Sequence, residues 1–402
     1  MKRSHFPVWF LLACLFLLLS CKDNADHPKD DAIRCYTYDQ FCMGVDLSYV
    51  NQLEDFGAVY KDSGKVNDPY RIFRNHGANL VRLRLWHNPS WVRQQVYKSD
   101  TVPLYSGLND VKKSIRRAKN LGFAICLDFH YSDIWADPTR QTPPAAWAAI
   151  RDFAVLKDSF YTYTYSTLHN LAAEGLLPEM VQLGNEINCG LFYTDIEQGF
   201  PSVNCCEGKW VQLGELLNEA IRAVRKVSSE EGRQIQIGLH IADPKNVQWW
   251  FEQITSNGKV TDFDIIGISY YPLWHTTVSF DNLGVVIRNL KNTFGKKIMI
   301  FETAYPWTTE YADNYANAFG NQSPLPGFPF TAAGQYNFMV SLCQKVINGG
   351  GSGVIYWEPA WITSRMKDLW GTGSIWENAT MFDFEGNTLP SINYLNASYK
   401  GL

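Results

Sequence analysis

The sequence has no basic run and no basic domain. Its 36 Lys and Arg stand against 40 Asp and Glu, a net charge of −4. Without that positive footprint there is nothing to hold a phosphate backbone, so nucleic acid is not an expected partner. No apolar run reaches the roughly 20 residues that a membrane-spanning helix needs; the stretch Val8 to Leu19 stops at twelve. No Cys/His spacing matches a zinc site. No phosphate-cradling loop joins a strand to a helix, since Gly349-Gly350-Gly351-Ser352-Gly353 precedes a strand and reads as a helix stop and turn. No shift in composition marks a second domain, and no clear sequence repeat appears.

What the chain does have is apolar and aromatic content. It is 46% hydrophobic and 14% aromatic, with 14 Trp and 21 Tyr in 402 residues. That is enough for one large barrel or two modest domains. Flat aromatic faces suit the C–H faces of sugars, and an aromatic-rich core is the plainer alternative. At the N-terminus, Lys2 and Arg3 precede the apolar Val8–Leu19 run, the pattern of an export signal over residues 1–20. Leu18-Leu19-Ser20-Cys21 resembles a bacterial lipobox, which would make Cys21 the lipidated N-terminus, with residues 21–40 a flexible tether and 41–402 the domain. The expected location is the outer membrane, through that anchor. Export permits disulfides. Cys189 can pair with Cys205 or Cys206, whereas Cys126 and Cys343, in apolar segments, read as buried thiols.

From residue 41 onward, strand-like apolar runs alternate with helical patterns, which predicts βα units. The runs are Phe41–Val45, Leu80–Leu85, Phe123–Leu127, Met180–Leu183, Ile235–Leu239, Ile265–Ser269, Ile298–Phe301 and Val354–Tyr356. Helices are expected over 68–76, 109–121, 159–174, 210–231, 246–257, 281–294 and 331–348, and long loops over 51–66, 131–144, 188–209 and 303–330. Eight such units predict a single (β/α)8 barrel of the α/β class, with its active site at the C-terminal tips of the strands. Two tips carry Glu: Asn185-Glu186 after the fourth strand and Glu302 after the seventh. A glycosidic bond is broken by a proton donor on one side of the anomeric carbon and a carboxylate on the other. Asn185 can bond the sugar 2-hydroxyl.

Taken in order, six stretches resemble glycoside hydrolase family 53, the arabinogalactan endo-β-1,4-galactanases, a branch of the large clan of retaining (β/α)8 glycosidases. They are Gly44-Val45-Asp46-Leu47-Ser48, Val81 to Trp86, Asp128 to Asp133 with Trp135, Gln182 to Asn188, Glu302-Thr303-Ala304-Tyr305-Pro306, and Phe382 to Ser391. The resemblance implies Glu186 as acid/base and Glu302 as nucleophile, with Arg82 helping to keep Glu302 ionised. It implies cleavage of β-1,4-galactan by a monomer that requires no cofactor. Asp46, Arg82, Trp86, His130, Asn185, Tyr270 and Trp357 are expected to line the subsite of the reacting sugar. Trp135, Trp274, Trp307 and Trp361 are candidates for outer subsites, and Arg84 and Asp128 are expected to pair with each other. Some bacterial relatives hold a structural calcium, for which Asp313, Asn314 and Asn317 offer oxygens. Action on mannan or xylan, or sugar binding without catalysis, are the alternatives.

Overall fold

The computed structural model describes residues 35–402; the export signal, Cys21 and the tether as far as residue 34 lie outside the described residues. The eight expected strands are present as β1 (Cys42–Asp46), β2 (Leu80–Leu85), β3 (Ala124–Phe129), β4 (Met180–Leu183), β5 (Gln236–Ala242), β6 (Ile265–Ser269), β7 (Lys297–Glu302) and β8 (Gly353–Tyr356). They pair in parallel and close into a barrel when β1 bonds both β2 and β8. All are fully buried except at a first residue, which is why they read as near-continuous apolar runs.

Helices connect successive strands, and several start where a side chain satisfies a free backbone N–H. Asp68 accepts from Tyr70 and Arg71 ahead of Pro69–Asn75, Asp152 from Ala154 ahead of Phe153–Ala173, and Thr331 from Gly334 ahead of Ala332–Asn348. The expected loop 51–66 is more structured than its composition suggests. It holds a short helix, Val50–Asp55, and a hairpin pairing Lys61–Asp62 with Lys65–Val66, both too short to show a period. No α-helix follows β8 among the described residues. Instead the tail crosses the barrel mouth and ends in a 3₁₀ helix, Pro390–Asn396, packed on Ala332–Asn348.

Within residues 36–40, expected to belong to the tether, two tyrosines pack on the domain, Tyr38 through a bond of its hydroxyl to Gln236 at 3.0 Å. Tyr36 is buried, and its hydroxyl donates to Ala397 O at 2.7 Å and accepts from Tyr399 N at 3.1 Å. The lower barrel interior is an apolar plug of Cys42, Leu80, Cys126, Met180, Ile265, Met299, Phe301 and Ile355. Phe301 fits only because its neighbours lack side chains: a Cβ on Gly267 would sit 2.3 Å from its ring, and one on Gly238 2.7 Å. Burying such a ring stabilises the fold by about 1.5–3 kcal/mol. Above this plug the interior turns polar, and there the chemistry lies.

Candidate active site

Arg82 is the hub. It points inward from β2, is almost fully buried, and turns its guanidinium toward five partners. Nε donates to Gln182 Oε1 at 3.0 Å. Nη1 meets Asp46 Oδ2 at 2.9 Å and Glu302 Oε1 at 2.8 Å. Nη2 donates to Asp128 Oδ2 at 2.9 Å and Asn185 Oδ1 at 2.8 Å. One guanidinium thus gathers three carboxylates and the two amides of the β4 tip.

Glu302 ends β7 with one oxygen on Arg82 and the other accepting from the Tyr271 hydroxyl at 2.9 Å. Both contacts favour the anion, whereas burial opposes it and pushes the carboxyl up to about 7. Glu186 stands differently. The chain leaves β4 through Gly184 at φ +85°, where a Cβ would meet Ile187 at 2.6 Å, and reaches Glu186 itself at φ +48°. That left-handed turn aims the side chain into the cleft. Glu186 has no ion-pair partner among the described residues, and burial together with the charge of Glu302 pushes it up to about 8. The order is physically sound: the carboxyl without a cation keeps its proton while the one on Arg82 ionises. Asn185 Oδ1 accepts from Arg82 and Gln182, and its amide nitrogen donates to Ala136 O at 2.8 Å.

Both glutamates open on one cleft of about 520 Å³. Asn185 and Trp357 line it as expected, and so do Trp135, Trp274 and Trp361. Trp357 packs edge-on against Trp376 at 4.6 Å. The other expected contacts lie deeper. Asp46, Arg82, Trp86 and His130 are each about 98% buried or more and form the layer beneath the cleft floor. Asp46 holds Arg82. Trp86 is tied by its backbone N–H to Ser106 O at 2.8 Å and its ring stacks on the Arg84 guanidinium at 4.4 Å. His130 Nδ1 accepts from Ala136 N at 3.1 Å, so Nε2 carries the proton and donates to Asp128 at 3.1 Å. Burial keeps that ring neutral.

Three expectations need correction. Tyr270 turns away from the cleft toward Pro272, Phe280, Leu325 and Phe328, and Tyr271 takes its place beside Glu302. The cause is the alternation of β6: Ile265, Gly267 and Ser269 face the barrel interior, so Tyr271 follows them inward and Tyr270 points outward. Arg84 does not pair with Asp128, although they are register partners. Both arginines of β2 face inward, two residues apart. Arg82 takes Asp128, and Arg84, one level higher, takes Glu358 at 3.4 Å and Ser106 at 3.1 Å between the rings of Tyr49, Trp86 and Trp135. Trp307 is not on the cleft; it bonds Glu377 O at 3.1 Å and packs on Phe384.

The three residues considered for calcium take different settings. Asp313 already spends its oxygens on Tyr315 N (2.7 Å), Thr363 Oγ1 (2.5 Å) and Ser374 N (2.9 Å). Asn314 is exposed, and Asn317 is buried beside the Glu377 carboxyl. Among the described residues no group of three or more His, Cys, Asp or Glu is arranged for a metal. Missed from sequence were Tyr271, Asp137, Arg140 and His275 and, from the tail, Asp368, Trp370 and Trp376, all on the cleft. Their tryptophans were visible in the composition, but no periodic segment placed them. Of the open disulfide pairings, Cys189–Cys206 forms, leaving Cys205 as a buried thiol; Cys126 and Cys343 are buried thiols as expected.

Two carboxyls on one aromatic-walled groove at the strand tips of a barrel, one paired with an arginine and one without a cation, are the working parts of a (β/α)8 glycoside hydrolase. The chain belongs to Glycosyl hydrolase family 53, whose sequence model matches residues 42–395. It is 45% identical over 364 residues to the arabinogalactan endo-beta-1,4-galactanase of Cellvibrio japonicus, covering 90% of this chain and 92% of that one. It is 33% identical to the endo-beta-1,4-galactanase of Bacillus subtilis, covering 90% and 86%. The solved GH53 catalytic domain of Ignisphaera aggregans superposes with a TM-score of 0.78 at 32% identity, covering 90% and 97%.

Proposed function

We propose that this protein hydrolyses internal β-1,4-galactosidic bonds of galactan and type I arabinogalactan with retention at the anomeric carbon. The observation that carries the chemistry is the unequal treatment of two carboxyls in one cleft. Glu302 lies on Arg82 at 2.8 Å, and Glu186 has no cation of its own. The galactanases it resembles carry the choice of polymer.

In the first step a Glu302 oxygen bonds C1 while the C1–O bond to the leaving sugar breaks, and Glu186 gives its proton to the departing oxygen. In the second, water attacks C1, its proton passes to Glu186, and the Glu302 ester is released. These two groups supply the whole proton and bond balance. The aromatic walls give sugars flat faces to pack on.

The test is sugar release from linear β-1,4-galactan, mannan and xylan, with the first-formed anomer read by NMR. Galactan should be cut preferentially and give the β-anomer. Near-normal activity in Glu302→Ala or Glu186→Ala, or an α-anomer product, refutes the assignment.

Lipidation at Cys21 and display on the outer membrane belong to the same reading. They are supported by the Leu18–Cys21 motif and by a disulfide suited to an oxidising compartment. Cys21→Ala should release the protein from the membrane fraction and abolish labelling by palmitate.

A further inference from the structure

We infer that Asn188 is the positioning residue of the acid, a role that rests on Glu186 being the proton donor. Glu186 occupies a backbone region that few residues other than glycine adopt, and its side chain has a hydrogen bond with Ser269 but no ion pair among the described residues. Its placement therefore depends also on how the backbone after β4 is held. The ladder between β4 and β5 ends at Gln182 and Gly238. Beyond that point the Asn188 side chain takes over from the strand. Its Nδ2 donates to Ala242 O at 2.8 Å, and its Oδ1 accepts from Ala242 N at 2.9 Å. This reciprocal pair docks the turn onto the tip of β5. Inside the turn, Asn188 N donates to Glu186 O at 2.8 Å and Ile187 N to His240 O at 3.0 Å.

The next residue completes the clamp. Cys189 is bonded to Cys206, and Cys205 N donates to Cys189 O at 2.9 Å. The acid is thus held by a two-bond amide dock on one side and a covalent staple on the other, both within three residues of it.

The experiment separates proton donation from overall integrity. Wild type, Asn188→Ala, Asn188→Asp and Cys206→Ser are assayed on galactan and on a dinitrophenyl β-galactobioside, whose leaving group departs without a proton. The pre-steady-state burst of dinitrophenolate reads bond cleavage alone. Asn188→Ala should lose about 100-fold on galactan, the scale of general acid catalysis, but under about 5-fold in the burst. The basic limb of its pH profile should move to lower pH. Asn188→Asp, which keeps only the acceptor, and Cys206→Ser should show the same split at smaller size. Equal losses on both substrates, or no loss in any variant, overturn the inference. A wild-type protein inactive on galactan refutes the functional reading instead.

Discussion

The layer under the cleft floor and the walls above it are built on opposite terms. The layer is polar, nearly waterproof and densely bonded. Arg82 donates four hydrogen bonds and pairs with Glu302, so that Asp46, Asp128, Gln182 and Asn185 are tied together through it. The walls are indole rings on loops and on the tail, and Trp274 and Trp370 are exposed. A reaction centre needs charges that do not move, and buried hydrogen-bond networks supply that. A polymer needs a surface along which sugars can be accepted in many registers, and aromatic faces supply that with few directional demands.

The comparison breaks most visibly if the layer is removed. Glu302→Ala should cost 10³-fold or more in kcat, at about the upper end of what a single catalytic group contributes, with binding of oligosaccharide by calorimetry little changed. Arg82→Met leaves Asp46, Asp128 and Glu302 with no compensating charge. It should destabilise the fold by about 3–5 kcal/mol, read from denaturant midpoints, and push Glu302 further up. At the wall, Trp370→Ala should raise KM for long galactooligosaccharides by about 3- to 10-fold, with kcat nearly unchanged. The pH profile should be bell-shaped. Activity falls as pH drops through the Glu302 value, about 7, and the nucleophile gains a proton. It also falls as pH rises through the Glu186 value, about 8, and the acid loses one.

The smallest effect concerns stability. Because folding raises the Glu186 pKa, the folded state holds its proton more tightly than the unfolded one. Stability from this group is therefore greatest below its unfolded value and declines as pH rises through about 8. Glu186→Gln should remove that decline, raising Tm at pH 9 more than at pH 5.

The layer was also the more legible region. Asp46, Asn185, Glu186 and Glu302 sit at or beside the ends of apolar runs, and a strand tip in a barrel has one destination. At the β6 tip the period of two was the overlooked signal: Ile265, Gly267 and Ser269 share the inward face, so the next inward residue is Tyr271 and not Tyr270. Periodicity could not divide Arg82 from Arg84, since both lie on the same face of β2 and only the stagger of neighbouring strands decides which one reaches Asp128. The walls were harder. Trp370 and Trp376 lie in a tail with no regular period, and their place is set by distant contacts such as Tyr315 with Asp368 and Trp376 with the Trp357 carbonyl.

That tail has a temporal consequence. β1, among the first parts of the domain to be synthesised, has to wait for β8 before its second edge is covered, and the groove lacks two of its indoles until residues beyond 365 arrive. A chain halted fifty residues early would carry both glutamates yet own neither a shut cylinder nor a finished binding surface. Enzymatic competence is thus deferred to the closing moments of production, so that partial products of translation or transport stay inert toward polysaccharide.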